Sequence, residues 1–138
     1  FTLVRLDDET HLDEFAATFN LGLGVPEWAG RSWAEFFRAH DAASWPIVPY
    51  LGFLDGAPVA TNMLYCGGGF ASVYGVATVP EARGQGIGAA ITLAPYRDAL
   101  EAGWEQAVIF ATELGAPVYR RIGFEDTGST ISRYLWAA

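Results

Sequence analysis

The most informative stretch of the sequence is Val76-Ala-Thr-Val-Pro-Glu-Ala-Arg-Gly-Gln-Gly-Ile-Gly88, and an apolar run from Ala89 to Leu100 follows it. An apolar segment ends at Pro80, and three alternating glycines then lead directly into a helix. Glycine has no Cβ atom, so successive N–H groups of such a loop can converge on one point. The first N–H groups of a helix also lack internal partners and lie at the positive end of its dipole. The stretch therefore predicts a phosphate-binding loop, and the alternative is a turn that only reverses the chain.

The composition predicts one compact domain, residues 1–138, and argues against several kinds of partner. Hydrophobic residues make up 51% of the chain and charged residues 17%, as is typical of a globular protein. The formal net charge of −8 opposes nucleic-acid binding, and no apolar run approaches the length of a membrane span. His11 and His40 have no Cys or His neighbours, so no metal site is predicted. The single cysteine, Cys66, suits a reducing compartment and reads as an inert thiol, so we expect a cytoplasmic protein.

The first part of the chain reads as one strand and two helices. Thr2–Leu6 alternates like a strand, and Thr10 with Asp13 resembles a capping box at the start of a helix that a Gly/Pro-rich segment ends. A second helix carries several aromatic residues, within a region 20–45 that otherwise reads as irregular. The aromatic residues of this region, which predict either core packing or a pocket for an apolar amine, are Trp28, Trp33, Phe36, Phe37 and Trp45.

Three antiparallel strands are predicted before the glycine loop. Tyr50–Leu54 and Val59–Cys66 flank an Asp55-Gly56 turn, and a triple-glycine reversal leads into Phe70–Val79. The elements predicted after the loop are a helix from Ile87 to Glu101 capped by Gly103, a strand Ala107–Thr112 parallel to the preceding strand, a short helix from Pro117 to Ile122 and a hairpin of Phe124–Asp126 with Ile131–Trp136.

The glycine pattern also fits a second class of phosphate-binding protein. Gly84-x-Gly86-x-x-Ala89 matches a relaxed dinucleotide-binding fingerprint, and Glu113 ends the next predicted strand. In that fold the glycines follow the strand immediately, whereas Pro80–Arg83 intervenes here. The preceding strands also read as an antiparallel meander. A dinucleotide-dependent oxidoreductase is therefore the less favoured interpretation.

The order of elements and two motifs resemble the GNAT superfamily of acyl-CoA N-acyltransferases over essentially the whole chain. The acyl-CoA signature Arg/Gln-x-x-Gly-x-Gly/Ala is matched by Arg83, Gly86 and Gly88. A second element, an aromatic residue shortly before Gly-Phe, is matched by Tyr119 ahead of Gly123-Phe124. The resemblance implies an α/β (α+β) fold with a mostly antiparallel sheet and a parallel splay between the fourth and fifth strands.

The resemblance also implies an enzyme that uses acetyl-CoA or another acyl-CoA as co-substrate, with no metal. Such an enzyme would acetylate a small-molecule or peptide amine, which attacks the thioester directly. The resemblance is also compatible with a homodimer. Tyr119 would be the general acid. The residues that would bind the co-substrate are Val76, Ala77, Thr78, Arg83, Gly84, Gln85, Gly86, Ile87, Gly88 and Ala89.

The sequence departs from the family pattern at the general base. Many relatives carry a carboxylate on the fourth strand, yet no Asp or Glu occurs between Asp55 and Glu81. Two ways to deprotonate the amine remain. A water molecule held by Tyr74, Tyr65 or Asn62 could accept the proton, or Glu113 could assist. The gap keeps open a second function class, a non-catalytic acyl-CoA-binding or regulatory domain of the same fold.

Overall fold

A computed structural model of the protein describes residues 1–130. Its helices and strands, in chain order, are β1 (Thr2–Arg5), α1 (Leu12–Leu23), α2 (Glu27–Arg38), β2 (Ile47–Leu54), β3 (Ala57–Gly67), β4 (Phe70–Thr78), α3 (Ile87–Glu101), β5 (Ala107–Val108) and α4 (Ala116–Arg121). None of the helices in this part of the chain combines the length and the apolar character that crossing a membrane requires.

The five strands form one mixed sheet in the order β1-β2-β3-β4-β5. β1 to β4 are antiparallel neighbours, whereas β4 and β5 pair in parallel through Ala71 with Ala107 and Ser72 with Val108. The crossover between these two strands is α3. The predicted α/β class with a parallel pair after an antiparallel meander is therefore confirmed, and a doubly wound parallel sheet is excluded for the described strands.

Helices cover both faces of the sheet. On one face α3 buries Ile87, Ile91 and Tyr96 against strand residues such as Leu64 and Val73. On the other face α1 and α2 supply an aromatic cluster, in which Phe15 and Phe37 are fully buried beside Leu51 and Met63. The sheet is thus the middle of three layers, and the alternation of side chains along β2 and β3 serves both cores.

Two predictions about the first two helices are wrong. Thr10 does not cap α1, because the N-cap residue is His11 and no side chain bonds to the cap; the Thr10 N–H instead donates to Asp8. The region 20–45 is mostly helical rather than irregular. α2 is positioned by Asn20 of α1, whose amide donates to the Glu27 carbonyl and accepts from the Gly30 N–H at 2.7 Å. These tertiary contacts replace the capping signals that the sequence lacks.

The predicted turns and the later elements agree with the structure in most places. Asp55 and Gly56 both have positive φ, 51° and 81°, as the tight turn between β2 and β3 requires. The strand predicted at Ala107–Thr112 is shorter than expected, because only Ala107–Val108 pairs with β4. Phe124–Asp126 has no regular secondary structure, and the other half of that predicted hairpin, Ile131–Trp136, lies outside the described residues.

Candidate functional site: a cavity between β4 and β5

The glycine loop presents a run of backbone donors at the start of α3. β4 ends at Thr78, a short 3₁₀ turn follows at Pro80–Ala82, and Gly84 and Gly86 then adopt positive φ of 77° and 79°. Gly86 is the N-cap of α3. Within residues 1–130 the five N–H groups from Gly84 to Gly88 have no backbone acceptor, whereas the Ala89 N–H donates to the Gly86 carbonyl at 3.1 Å. The loop can therefore offer five donors to an anion.

Arg83 is held by backbone carbonyls. Its Nε donates to the Thr78 carbonyl and its guanidinium to the Gly22 carbonyl near the end of α1, each at 3.0 Å. The side chain thus joins the end of β4, the last turn of α1 and the start of the glycine loop. Contact between Arg83 and a phosphate stays a prediction, and the observed contacts give the residue a role in positioning the loop.

Gly75 interrupts β4 at the edge that faces β5. The register between β3 and β4 shifts between Thr61 and Met63, and Gly75 at that shift has a φ of 59°. The Thr61 hydroxyl donates to the Gly75 carbonyl at 2.9 Å and holds the bulge. A bulge bends its strand, so beyond Ser72 the edge of β4 diverges from β5. The Val76–Thr78 backbone therefore lacks pairing with β5.

A cavity of about 740 Å³ occupies the space opened by this divergence. Its floor is β4 from Val73 to Thr78, one end is the glycine loop, and the opposite wall is α4 with the segment before it. The predicted site residues that line it are Val76, Ala77, Thr78, Arg83, Gly84, Gly86, Ile87, Gly88, Ala89 and Tyr119. Gln85 is exposed and is the one predicted residue that does not line it.

Tyr119 contributes the phenol on the α4 wall. Its side chain is 9% exposed and packs its ring edge-to-face with Phe124, at 6.4 Å between centroids. Within the described chain its hydroxyl makes no hydrogen bond. Burial raises the pKa of Tyr119, so the phenol stays protonated at neutral pH. The wall of the cavity at Tyr119 is therefore a protonated phenol.

The structure separates the residues considered for deprotonation. Asn62 is buried on the α3 side of the sheet, where its Nδ2 donates to the Ile91 carbonyl, so it is a poor candidate for relaying a proton. Glu113 is exposed and does not line the cavity. Tyr74 does line it, and Tyr65 lies in a second cavity beside it. Burial raises the pKa of the Cys66 thiol, as expected for an unreactive cysteine.

Sequence reasoning missed two features of this cavity. Arg121, in the last turn of α4, lines the cavity and with Arg83 is one of its two charged residues among those described. Both are cationic in a chain with a net charge of −8. Gly75 sets the divergence of the strands, and the only available signal was an isolated glycine inside a strand pattern.

Comparison with known proteins agrees with this architecture. No family model matches the chain. Mycothiol acetyltransferase of Saccharomonospora viridis is 40% identical over 62 residues, which are 43% of this chain and only 20% of that protein, so the match spans about a fifth of the curated relative. A predicted acetyltransferase from Clostridium acetobutylicum, solved with acetyl-CoA, aligns with a TM-score of 0.75 at 18% identity, over 96% of this chain and 95% of its own.

Two further solved structures are similar over nearly their whole length. AAC(6')-Iy, an aminoglycoside N-acetyltransferase solved with a CoA-based bisubstrate analogue, has a TM-score of 0.76 at 17% identity and covers 99% of this chain and 98% of its own. A GCN5-related N-acetyltransferase from Ralstonia eutropha has a TM-score of 0.69 at 21% identity, with coverage of 96% and 97%. With the sheet order and the parallel β4–β5 pair, these likenesses show that the chain has the GNAT N-acetyltransferase fold.

Proposed function

We propose that this protein transfers an acyl group, acetyl above all, from acyl-CoA to an amine. The observation that carries the proposal is the single cavity that brings together the open edge of β4, the donors of the glycine loop and the Tyr119 phenol. The likeness to solved structures that contain acetyl-CoA or a CoA analogue supports the same ligand.

The glycine loop would bind the pyrophosphate of the co-substrate. Hydrogen bonds to charged groups contribute about 1.5–3 kcal/mol each, and a micromolar ligand needs about 8 kcal/mol in total. Three of the five donors between Gly84 and Gly88 would supply much of that free energy. Arg121 and the dipole of α3 add positive potential at the same cavity. The open backbone of Val76–Thr78 would pair with the amides of the pantetheine arm, as an added strand does.

Tyr119 would supply the proton that the leaving group needs. The nitrogen lone pair of the neutral amine attacks the thioester carbonyl carbon, a C–N bond forms, and the C–S bond breaks with its electron pair on sulfur. A backbone N–H near Val76 would stabilise the developing oxyanion. The Tyr119 hydroxyl would protonate the leaving sulfur and then regain a proton from water, and the attacking nitrogen would lose its extra proton to water, which leaves a neutral amide and the free CoA thiol. Because no carboxylate lines the cavity within residues 1–130, the amine would enter as its free base.

A matched pair of glycine variants tests the phosphate loop. Gly86 and Gly103 lie at opposite ends of α3 with φ of 79° and 92°, and a Cβ atom would meet no other atom within 4 Å at either position. Alanine imposes a similar backbone cost of about 1–2 kcal/mol at both. Calorimetric titration with acetyl-CoA should show at least a tenfold loss of affinity for Gly86→Ala and none for Gly103→Ala. Equal affinities in two folded variants would refute the assignment.

The non-catalytic alternative is distinguished by turnover. Release of the free CoA thiol in the presence of a panel of amines measures transfer, and binding without release would favour a regulatory acyl-CoA-binding domain. Titration with NADH tests the dinucleotide interpretation, which predicts that NADH binds and that acetyl-CoA does not displace it. We expect binding of acetyl-CoA, no heat with NADH, and amine-dependent thiol release.

A further inference from the structure

A second cavity lies on the α1/α2 face of the sheet, next to the first. It has a volume of about 310 Å³ and is lined, within the described residues, by Trp33, Ile47, Tyr65 and Tyr74. Ile47 pairs with Tyr65 across β2 and β3, and Tyr74 pairs with Met63, two residues from Tyr65. Because alternate residues share a face, the three strand side chains all point toward the helices. The volume is at the low end of small-molecule pockets, about 300–1,000 Å³.

Trp33 separates this cavity from the aromatic core. Of the aromatic residues predicted as pocket or core, Phe37 and Trp45 are core, and Trp28 is 62% exposed at the start of α2. Trp33 alone lines the cavity. Its ring stacks on Phe37, with 5.9 Å between centroids, so the wall it forms is held in place from behind.

Tyr65 and Tyr74 form the part of the cavity wall contributed by β3 and β4, and both leave aromatic surface exposed. Their side chains are 38% and 40% exposed, unusually high for large aromatic residues on the covered face of a sheet. All four lining residues are apolar or aromatic, and none of those described carries a charge. Such walls reward burial of an apolar group and offer no charged partner to a polycationic sugar.

Tyr74 also lines the larger cavity between β4 and β5. Gly75, the bulge residue, follows it directly, so the strand at this point forms the wall shared by both spaces. A ligand in the second cavity therefore lies beside the part of β4 where the proposed thioester is held. The two cavities therefore meet at Tyr74, as the binding sites for the two substrates of one transfer would have to meet.

We propose that the second cavity binds the acceptor, and that the acceptor is a primary amine on an aromatic or branched aliphatic group. The inference rests on the proposed acyl transfer and names its second substrate. Without a carboxylate among the described lining residues, selectivity comes from the apolar group and not from an ion pair with the ammonium. An aminoglycoside, the acceptor class of one structural neighbour, does not suit these walls.

Steady-state kinetics at saturating acetyl-CoA test the acceptor class. The probes are 2-phenylethylamine, 3-methylbutylamine, ethanolamine and an aminoglycoside, with release of the CoA thiol as the readout. We expect kcat/KM for the first two to exceed that for ethanolamine by at least tenfold. A preference for ethanolamine or the aminoglycoside would overturn this inference and leave acyl transfer standing.

Variants locate the acceptor in the cavity. Trp33→Ala and Tyr65→Ala should each raise KM for 2-phenylethylamine at least fivefold while the Kd of acetyl-CoA stays unchanged. Trp28→Ala, on the same helix and outside the cavity, is the matched control and should change neither. Tyr65 is partly exposed, so its variant should fold even if Trp33→Ala does not.

Three outcomes would overturn the assignment. One is an unchanged KM in a folded Tyr65→Ala protein. Another is sedimentation showing that Trp33→Arg converts a dimer to a monomer, which would make a second copy the occupant of this face. A protein that binds acetyl-CoA and acetylates none of the four amines would overturn both this inference and the catalytic proposal.

Discussion

Asn62 replaces a hydrogen bond that Pro95 removes from α3. Pro95 has no N–H, so the carbonyl of Ile91, four residues earlier, receives no helical donor. The Nδ2 of Asn62 lies 2.7 Å from that carbonyl oxygen, and both residues are fully buried. Asn62→Leu roughly preserves the side-chain volume and removes the donor. We expect this variant to leave the Ile91 carbonyl unsatisfied inside the core.

The magnitude follows from two opposing effects. A buried acceptor left without a donor costs about 1–3 kcal/mol of the free energy of unfolding. The Oδ1 of Asn62 is itself buried without a partner in the described chain, and the same substitution removes that penalty. The single variant should therefore lose only about 0–2 kcal/mol. In a Pro95→Ala background the alanine N–H can bond to Ile91, so Asn62→Leu should cost about 1–2 kcal/mol less there.

Urea unfolding of the wild type, both single variants and the double variant measures this coupling. The contribution of Oδ1 is the same in both backgrounds and cancels, which makes the coupling a better test than either single value. Tyr50→Phe is the control, because Tyr50 donates to Asp98 on the same helix at 2.6 Å and should be additive with Pro95→Ala. A coupling energy below about 0.5 kcal/mol between Asn62→Leu and Pro95→Ala would refute the reasoning.

Four further predictions concern acyl transfer and the binding of acetyl-CoA. Tyr119→Phe should lower the rate of acyl transfer about 10²–10⁴-fold with unchanged acetyl-CoA affinity, and retention of a third of the rate would refute its role as acid. Because burial raises the pKa of Tyr119 above its ordinary value of about 10, kcat/KM should rise from pH 7 to 9 as free amine accumulates, and a fall within that range would contradict the assignment. Arg121→Ala should weaken acetyl-CoA binding up to about fivefold, less at high salt, whereas Arg120→Ala, whose guanidinium pairs with Asp126, should not; titrations at two salt concentrations compare them. Glu113→Gln should keep most activity in the thiol-release assay, and a hundredfold loss would identify an overlooked base.

Local signals were sufficient for the elements that depend on backbone conformation. The helix predicted from Ile87 to Glu101 is α3, because Gly86 and Gly103 adopt positive φ at its two ends. Asp55-Gly56 likewise predicted the β2–β3 turn, which needs the same conformation at two successive residues. Such conformational requirements are met within a few residues of the chain, so they can be predicted without knowledge of the rest of the fold.

The exposed backbone donors of the glycine loop could also be anticipated from the sequence, for the same reason. The loop from Gly84 to Gly88 exposes N–H groups because of its own sequence, and its position at a helix start is local. That Tyr119 lies across a cavity from this loop was available only through resemblance to a family, since thirty residues of chain and a sheet crossover intervene. The co-substrate assigned to the cavity remains a prediction.

The tertiary structure determines which backbone groups are left without a backbone partner and which side chains bond to them. The sequence determined where strands and turns occur, but the end of β5 at Val108 depends on the bulge at Gly75 in another strand. The contacts of Arg83 depend on the positions of the Thr78 and Gly22 carbonyls. The buried position of Asn62 depends on the Ile91 carbonyl, which has no helical donor because residue 95 is proline. The Gly22 carbonyl lies 61 residues from Arg83 and the Ile91 carbonyl lies 29 residues from Asn62, so no local pattern encodes either pair.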